Sequence, residues 1–143
     1  MQVKDLMSTH VICVAPEETV QVAARLLSRH NIGALPVCSS DGRLRGVITD
    51  RDIVLRCVAA QEDPAKTLVR NLMTSRVISV SPTDDANTAT ALMAREQVRR
   101  LPVTEQGKVV GILCLSDVAT RQDFSTEAAA CLGSICSNVS PRE

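Results

Sequence analysis

The chain repeats itself, and this self-similarity constrains its fold more than any other feature. Val3-Lys4-Asp5-Leu6-Met7 returns as Val69-Arg70-Asn71-Leu72-Met73, an offset of 66. The same offset carries Val11-Ile12-Cys13-Val14-Ala15-Pro16 onto Val77-Ile78-Ser79-Val80-Ser81-Pro82, and Leu35-Pro36-Val37 onto Leu101-Pro102-Val103. After a gap of one residue the offset is 65. Gly42 then meets Gly107, Gly46 meets Gly111, Asp52 meets Asp117 and Arg56 meets Arg121. Self-similarity at a fixed period means one supersecondary unit built more than once. A half of about 60 residues hides only about 60% of the surface its unfolded chain exposes, so it is marginal alone. Two halves packed together are therefore expected.

Each half reads as β-α-β-β-α. Residues 11–14 form a short β-branched run stopped by Pro16. Thr19 is placed to cap the following helix, with Asp85 at the matching position of the second copy. Val20, Ala23, Ala24 and Leu27 make one apolar helical stripe, echoed by Ala86, Ala89 and Met93. A hairpin signal follows: residues 34–38, a turn at Ser40-Asp41-Gly42, then residues 44–49. Its counterpart is residues 100–104, Gln106-Gly107 and residues 109–114. A second helix carries Ile53, Val54 and Val58 in one copy, Val118 and Ala119 in the other. The expected class is α/β in an α+β arrangement, with two βαββα repeats at 3–60 and 69–124. Residues 61–68, with Asp63-Pro64, read as the linker. The tail, 125–143, lies outside the repeat, and Ala128, Cys131, Leu132 and Ile135 predict an extra C-terminal helix packing on the module or on a second subunit.

Composition removes several functions. Lys+Arg and Asp+Glu are both 16, so there is no net positive charge to grip nucleic acid or anionic lipid. Phe124 is the lone aromatic residue, which leaves no platform for stacking bases. No apolar run reaches the roughly 18–20 residues of a membrane span, and the N-terminus lacks the apolar stretch of a signal peptide. A cytoplasmic protein is expected. Cys13, Cys38, Cys57, Cys114, Cys131 and Cys136 contain no CxxC, and His10 and His30 stand at no metal spacing from them. Reduced thiols, no metal and no cofactor are the expectation. A redox role is not expected, because Cys13, Cys38 and Cys114 align with Ser79, Thr104 and Thr49, as small strand residues would. Nucleophile elbows, P-loops and zinc-protease signatures are missing, so the chain is not expected to be an enzyme.

The informative segment is Gly46-Val47-Ile48-Thr49-Asp50-Arg51-Asp52-Ile53. A strand ends in a hydroxyl residue, and three residues later an Asp stands in the first turn of a helix. A hydroxyl with free helix N–H groups suits a phosphate or ribose oxygen. A carboxylate suits paired ribose hydroxyls. The same two residues would serve simply as a helix cap, the role that spacing alone favours.

With the Leu-Met dipeptides, the two strand-Pro segments, Ile32-Gly33-Ala34-Leu35-Pro36-Val37 and the Thr49–Asp52 segment, the chain resembles a tandem pair of CBS domains, a Bateman module, over residues 3–121. The resemblance implies two βαββα copies about a pseudo-twofold axis. It also implies a homodimer and a regulatory site for an adenosine-containing ligand: AMP, ADP, ATP, NAD or S-adenosylmethionine. Carried onto this sequence, Ile12, Cys13, Ala34 and Pro36 would line the base. Asp52 would hold the ribose hydroxyls, and Thr49 and Arg51 the ribose–phosphate end. The second copy departs from this pattern. Cys114 replaces the hydroxyl residue, Leu115-Ser116 replaces Asp50-Arg51, and Arg99-Arg100 replaces Gly33-Ala34. A weaker second site would use Ile78, Pro102, Ser116 and Asp117, while Arg100 either reaches a phosphate in the first site or is a solvated charge. The alternative to a nucleotide sensor is a CBS scaffold that binds no ligand, dimerises and acts on a partner protein. In either case the sequence does not name the regulated protein.

Overall fold

The structure is a computed structural model that describes residues 1–120 and residue 135. The chain forms two compact units. One holds Ile12–Val77 with Gly107–Val109, and is called the Asp52 unit below. The other, the Asp117 unit, holds Met1–Val11, Ile78–Gln106 and the described part of Val110–Glu143.

In the Asp52 unit, helix α1 (Val20–His30) starts where Thr19 accepts the Val22 N–H at 3.4 Å. It stops at Asn31, whose left-handed φ of 52° turns its N–H back onto the last carbonyls. The expected cap is thus in place. The helix lays Val20, Ala23 and Leu27 against strand β1 (Ala34–Cys38) and strand β2 (Leu44–Thr49). These strands pair antiparallel with Ala34 opposite Thr49 and Leu35 opposite Ile48. Helix α2 (Asp50–Ile53) follows β2 and runs on as a π-helical turn, Val54–Val58, and the short helix α3 (Val69–Leu72) closes the core.

The Asp117 unit repeats the plan. Asp85 accepts the Asn87 N–H at 2.8 Å and starts α4 (Ala86–Glu96), which buries Ala86, Ala89, Thr90 and Met93. Strands β3 (Arg100–Glu105) and β4 (Lys108–Cys114) pair, and α5 (Leu115–Ala119) follows. A one-turn 3-10 helix at Val3–Asp5 supplies Val3 to the same core, beside Leu101, Val103 and Leu113.

One expectation changes. The strand expected at 11–14 contracts to a single parallel bridge, Val14 to Val37, and its counterpart to Val80 with Val103. The backbone turns as soon as the bridge is made, through Glu18 N–H to Ala15 C=O and Asp84 N–H to Ser81 C=O. Pro16 and Pro82 then have no N–H to extend a ladder. Within each compact unit, the Leu-Met segment comes from the other copy of the repeat. Val3 and Lys4 donate to the carbonyls of Asp84 and Pro82, while Val69 and Arg70 donate to those of Glu18 and Pro16. Each Leu-Met segment therefore docks beside the opposite copy of the repeat, with Val3 and Val69 fully buried.

Gly46 and Gly111 make that docking possible. A Cβ on Gly46 would lie 2.7 Å from the Thr74 carbonyl oxygen, and one on Gly111 would lie 2.9 Å from that of Ser8. Ser8 bridges Ile112 and Thr74 bridges Val47, so each exchanged segment also pairs with the last strand of its unit. Of the expected C-terminal helix, Ile135 alone is described. It is helical and packs against the core of the Asp117 unit, while Ala128, Cys131 and Leu132 lie outside the described residues. Among the described residues, no helix is long and apolar enough to cross a membrane.

Candidate functional site

Strand alternation divides the Asp52 unit into two faces. Leu35, Val37 and Ile48 point into the core with Val14, and Ile12 packs against that cluster. The opposite face takes the residues between them. Ala34 and Thr49 are directly cross-strand. Pro36 lies two residues along β1, and its carbonyl accepts the Val14 N–H at 3.1 Å. Cys13 immediately precedes that bridge and is exposed. The structure therefore gathers Cys13, Ala34, Pro36 and Thr49 on one sheet face. The Ile12 side chain belongs to the other side, against the core cluster.

At the end of β2 the structure places Thr49 and Asp52 as a helix cap. The Asp52 N–H donates to Thr49 Oγ1 at 3.0 Å, and the Thr49 N–H donates to Asp52 Oδ2 at 3.0 Å. This is a reciprocal capping box. Arg56, one turn on, lies 3.7 Å from Asp52 Oδ1 and donates to the Leu72 carbonyl at 2.8 Å. A carboxylate offers about four lone-pair sites, so the box and Arg56 leave about two acceptor positions for a diol. The Asp52 side chain keeps 13% of its surface exposed. Capping and ligand binding are thus compatible at Asp52. The Asp50 N–H donates to the Gly33 carbonyl at 2.9 Å and ties the start of β1 to the start of α2. Arg51 is exposed in the first turn of α2. Sequence reasoning missed the link from Arg56 to Asp52. The i, i+4 acid–base spacing and the repeat of Arg56 as Arg121 were its visible signals.

The Asp117 unit builds the same corner with different chemistry. Cys114 occupies the cap position and makes no side-chain cap bond. Asp117 stands close enough to its thiol to act on its charge. Burial pushes the Cys114 thiol up from its usual range, Arg100 pulls it down, and Asp117 raises it further. Arg100 is exposed, and its charge acts on the Cys114 and Asp117 corner of its own unit. Pro102 is buried, Ile78 packs against the core cluster, and Ser116 is exposed. Both corners thus hold an Asp at the start of a helix, but only the Asp52 corner has a hydroxyl at the cap position.

A third pairing lies on the Asp52 sheet face. The Cys38 thiol beside Cys13 pulls Cys13 down to about 6, and Cys13 pushes Cys38 up, burial adding to the rise at Cys38. The sequence alignment treated these two positions as unrelated small residues. Among the described residues no group of three or more His, Cys, Asp or Glu side chains could hold a metal ion.

Comparison with known proteins places this architecture. The model of the CBS domain matches residues 3–58 and 69–123. The CBS domain-containing protein YhcV of Bacillus subtilis is 44% identical over 138 residues, covering 96% of this chain and 94% of that protein. Among solved structures, Hypoxic Response Protein I with two coordinated zinc ions superposes with a TM-score of 0.78 at 36% identity, covering 85% of this chain and 98% of that one. The CBS domain pair of protein MJ0100, in complex with 5′-methylthioadenosine and S-adenosyl-L-methionine, gives a TM-score of 0.73 at 28% identity over 84% and 94% of the two chains.

Proposed function

This chain belongs to the CBS-domain family, and on that premise we propose that it is a non-catalytic regulatory module that binds an adenosine-containing nucleotide on its Asp52 unit. The ligand class is AMP, ADP, ATP, NAD or S-adenosylmethionine. One observation carries the reading: Thr49 and Asp52 sit at a strand–helix corner, with acceptor capacity left on Asp52, beside Cys13, Ala34 and Pro36 on one sheet face. These small aliphatic and thiol side chains, with the backbone of Ile12, receive the adenine. Asp52 accepts from the ribose hydroxyls, and Thr49 and Arg51 face the ribose–phosphate end. The adenosyl ligands of the MJ0100 domain pair support that ligand class. Ile78, Pro102, Ser116 and Asp117 form the weaker counterpart, where Arg100 favours an anionic group over a base.

The module works as a homodimer. Val54, Leu55 and Val58 are 55%, 50% and 65% exposed on one short helical segment. Contiguous apolar surface of this kind marks an interface. Nucleotide binding changes the affinity of this assembly for a protein partner, which requires unequal binding to two states.

The test is a thermal-shift series with the five ligands, followed by calorimetry. A true ligand at a hundredfold excess over Kd stabilises by about 2.7 kcal/mol. A hydrogen bond to a charged group contributes about 1.5–3 kcal/mol, so its absence weakens binding roughly 10–150-fold. Asp52→Ala should accordingly abolish measurable binding, and Asp117→Ala should change it little. If no ligand stabilises the chain, the scaffold reading replaces this one. Two equal sites per chain would overturn the asymmetry.

A further inference from the structure

A further pair of equivalent positions differs chemically between the two units. In the Asp117 unit, Thr104 Oγ1 donates to Ser79 Oγ at 3.1 Å, joining side chains 25 residues apart. The repeat offset of 66 carries Ser79 onto Cys13 and Thr104 onto Cys38. In the Asp52 unit the same backbone bridge is present, with the Cys38 N–H on the Val14 carbonyl at 2.9 Å, so Cys13 and Cys38 hold the positions whose counterparts touch at 3.1 Å. One thiol is accessible and the other is not. Cys13 is exposed, while Cys38 is buried, 7% exposed.

The other described cysteines lack this arrangement. Cys57 is buried and donates to the Glu62 carbonyl at 3.5 Å, and Cys114 is half-buried against Asp117. We infer that Cys13 and Cys38 form a reactive dithiol, a site for oxidation by low-molecular-weight disulfides in which Cys13 is the attacking thiol and Cys38 the resolving one. The lowered position of Cys13 supports this order, because the thiolate is the nucleophile.

The chemistry closes on itself. The Cys13 thiolate attacks one sulfur of a small disulfide RSSR. A Cys13–SR bond forms, the S–S bond breaks, and RS⁻ leaves. Cys38 then gives its proton to that leaving thiolate and attacks Cys13 Sγ. The Cys13–Cys38 bond forms and the second RS⁻ departs, taking up a proton as RSH. The dithiol loses two electrons and RSSR gains them as two RSH. The site stands on the backbone bridge at Val14 and on the matched Ser79–Thr104 contact, independently of the nucleotide reading.

The experiment uses the full chain, reduced, freed of reductant and exposed to oxidised glutathione. Quenching at intervals, alkylation and peptide mass mapping follow. The expected first product is a peptide pair linked Cys13–Cys38, formed while Cys57 and Cys114 remain open to alkylation after unfolding. Cys38→Thr installs the residue found at the equivalent position of the other unit. It should stop the reaction at Cys13 carrying glutathione. Cys13→Ser should leave Cys38 unmodified over the same interval. The inference is overturned if glutathione accumulates on Cys13 of the natural chain with Cys38 still free. It is equally overturned if Cys13 reacts no faster than Cys114.

Discussion

Replacing Gly46 by alanine tests the docking of the exchanged Leu-Met segment. The added Cβ would stand 2.7 Å from the Thr74 carbonyl oxygen and 2.9 Å from Met73 Sδ. The Met73 side chain can rotate away, but the Thr74 carbonyl is backbone. Relief therefore requires residues 73 and 74 to move off β2. That motion stretches the reciprocal pair of bonds between Val47 and Thr74, now 3.0 and 2.9 Å. Overpacking of this kind costs about 1–3 kcal/mol. Each weakened hydrogen bond costs about 1 kcal/mol, in part the same energy counted through a different contact. Gly→Ala returns about 0.4–1 kcal/mol by restricting the unfolded chain. A net loss of about 2 kcal/mol remains, equivalent to a Tm lowered by roughly 6–8 °C for a chain of this size. Gly42→Ala is the comparison. Its φ is 85° but nothing lies within 4 Å of a Cβ there, so only the left-handed strain, about 1 kcal/mol, is felt. Circular-dichroism melts of both variants at one protein concentration decide the matter. A Gly46→Ala chain that melts with the natural protein, or above Gly42→Ala, refutes the argument. So does full rescue by Met73→Ala, because the carbonyl would remain in place.

Three further outcomes follow from the same structure. Cys13, pulled down to about 6 by the Cys38 thiol, reacts as the thiolate, so its alkylation rate should be flat above about pH 7 and fall about tenfold per unit below the midpoint. Cys114, raised by burial, should still be accelerating where Cys13 has levelled; residue-resolved alkylation against pH reads both. Val54→Lys with Val58→Lys should convert a dimer into a monomer in light scattering at micromolar concentration, and a natural chain that is already monomeric counts against the interface. Protein purified without chelator should carry far less than stoichiometric zinc, although the similar Hypoxic Response Protein I holds two zinc ions. Stoichiometric metal lost on Cys131→Ser or Cys136→Ser would reverse that expectation.

Local chemistry was legible in the sequence. Thr19 and Asp85 act as caps, Gly42 and Gly107 stand in turns at φ of 85° and 81°, and Thr49 with Asp52 shares a three-residue spacing. All of these depend on residues within a turn or two of one another, so periodicity and side-chain type suffice to find them. The candidate site followed in part. Ala34, Pro36 and Thr49 could be placed on one face by alternation, whereas Ile12 went to the core side because contact with the core cluster, not type, orients it. The structure alone decided the rest. Two copies of one pattern offer Val3 and Val69 equivalent apolar grooves, and nothing local says that each segment docks beside the opposite copy. The meeting of Cys13 with Cys38 across 25 residues was equally invisible, since alignment with Ser79 and Thr104 registers size and not proximity. Sequence patterns sum over neighbours along the chain, whereas docking and thiol pairing depend on which distant surfaces meet, a choice that a repeated sequence leaves degenerate until the core forms.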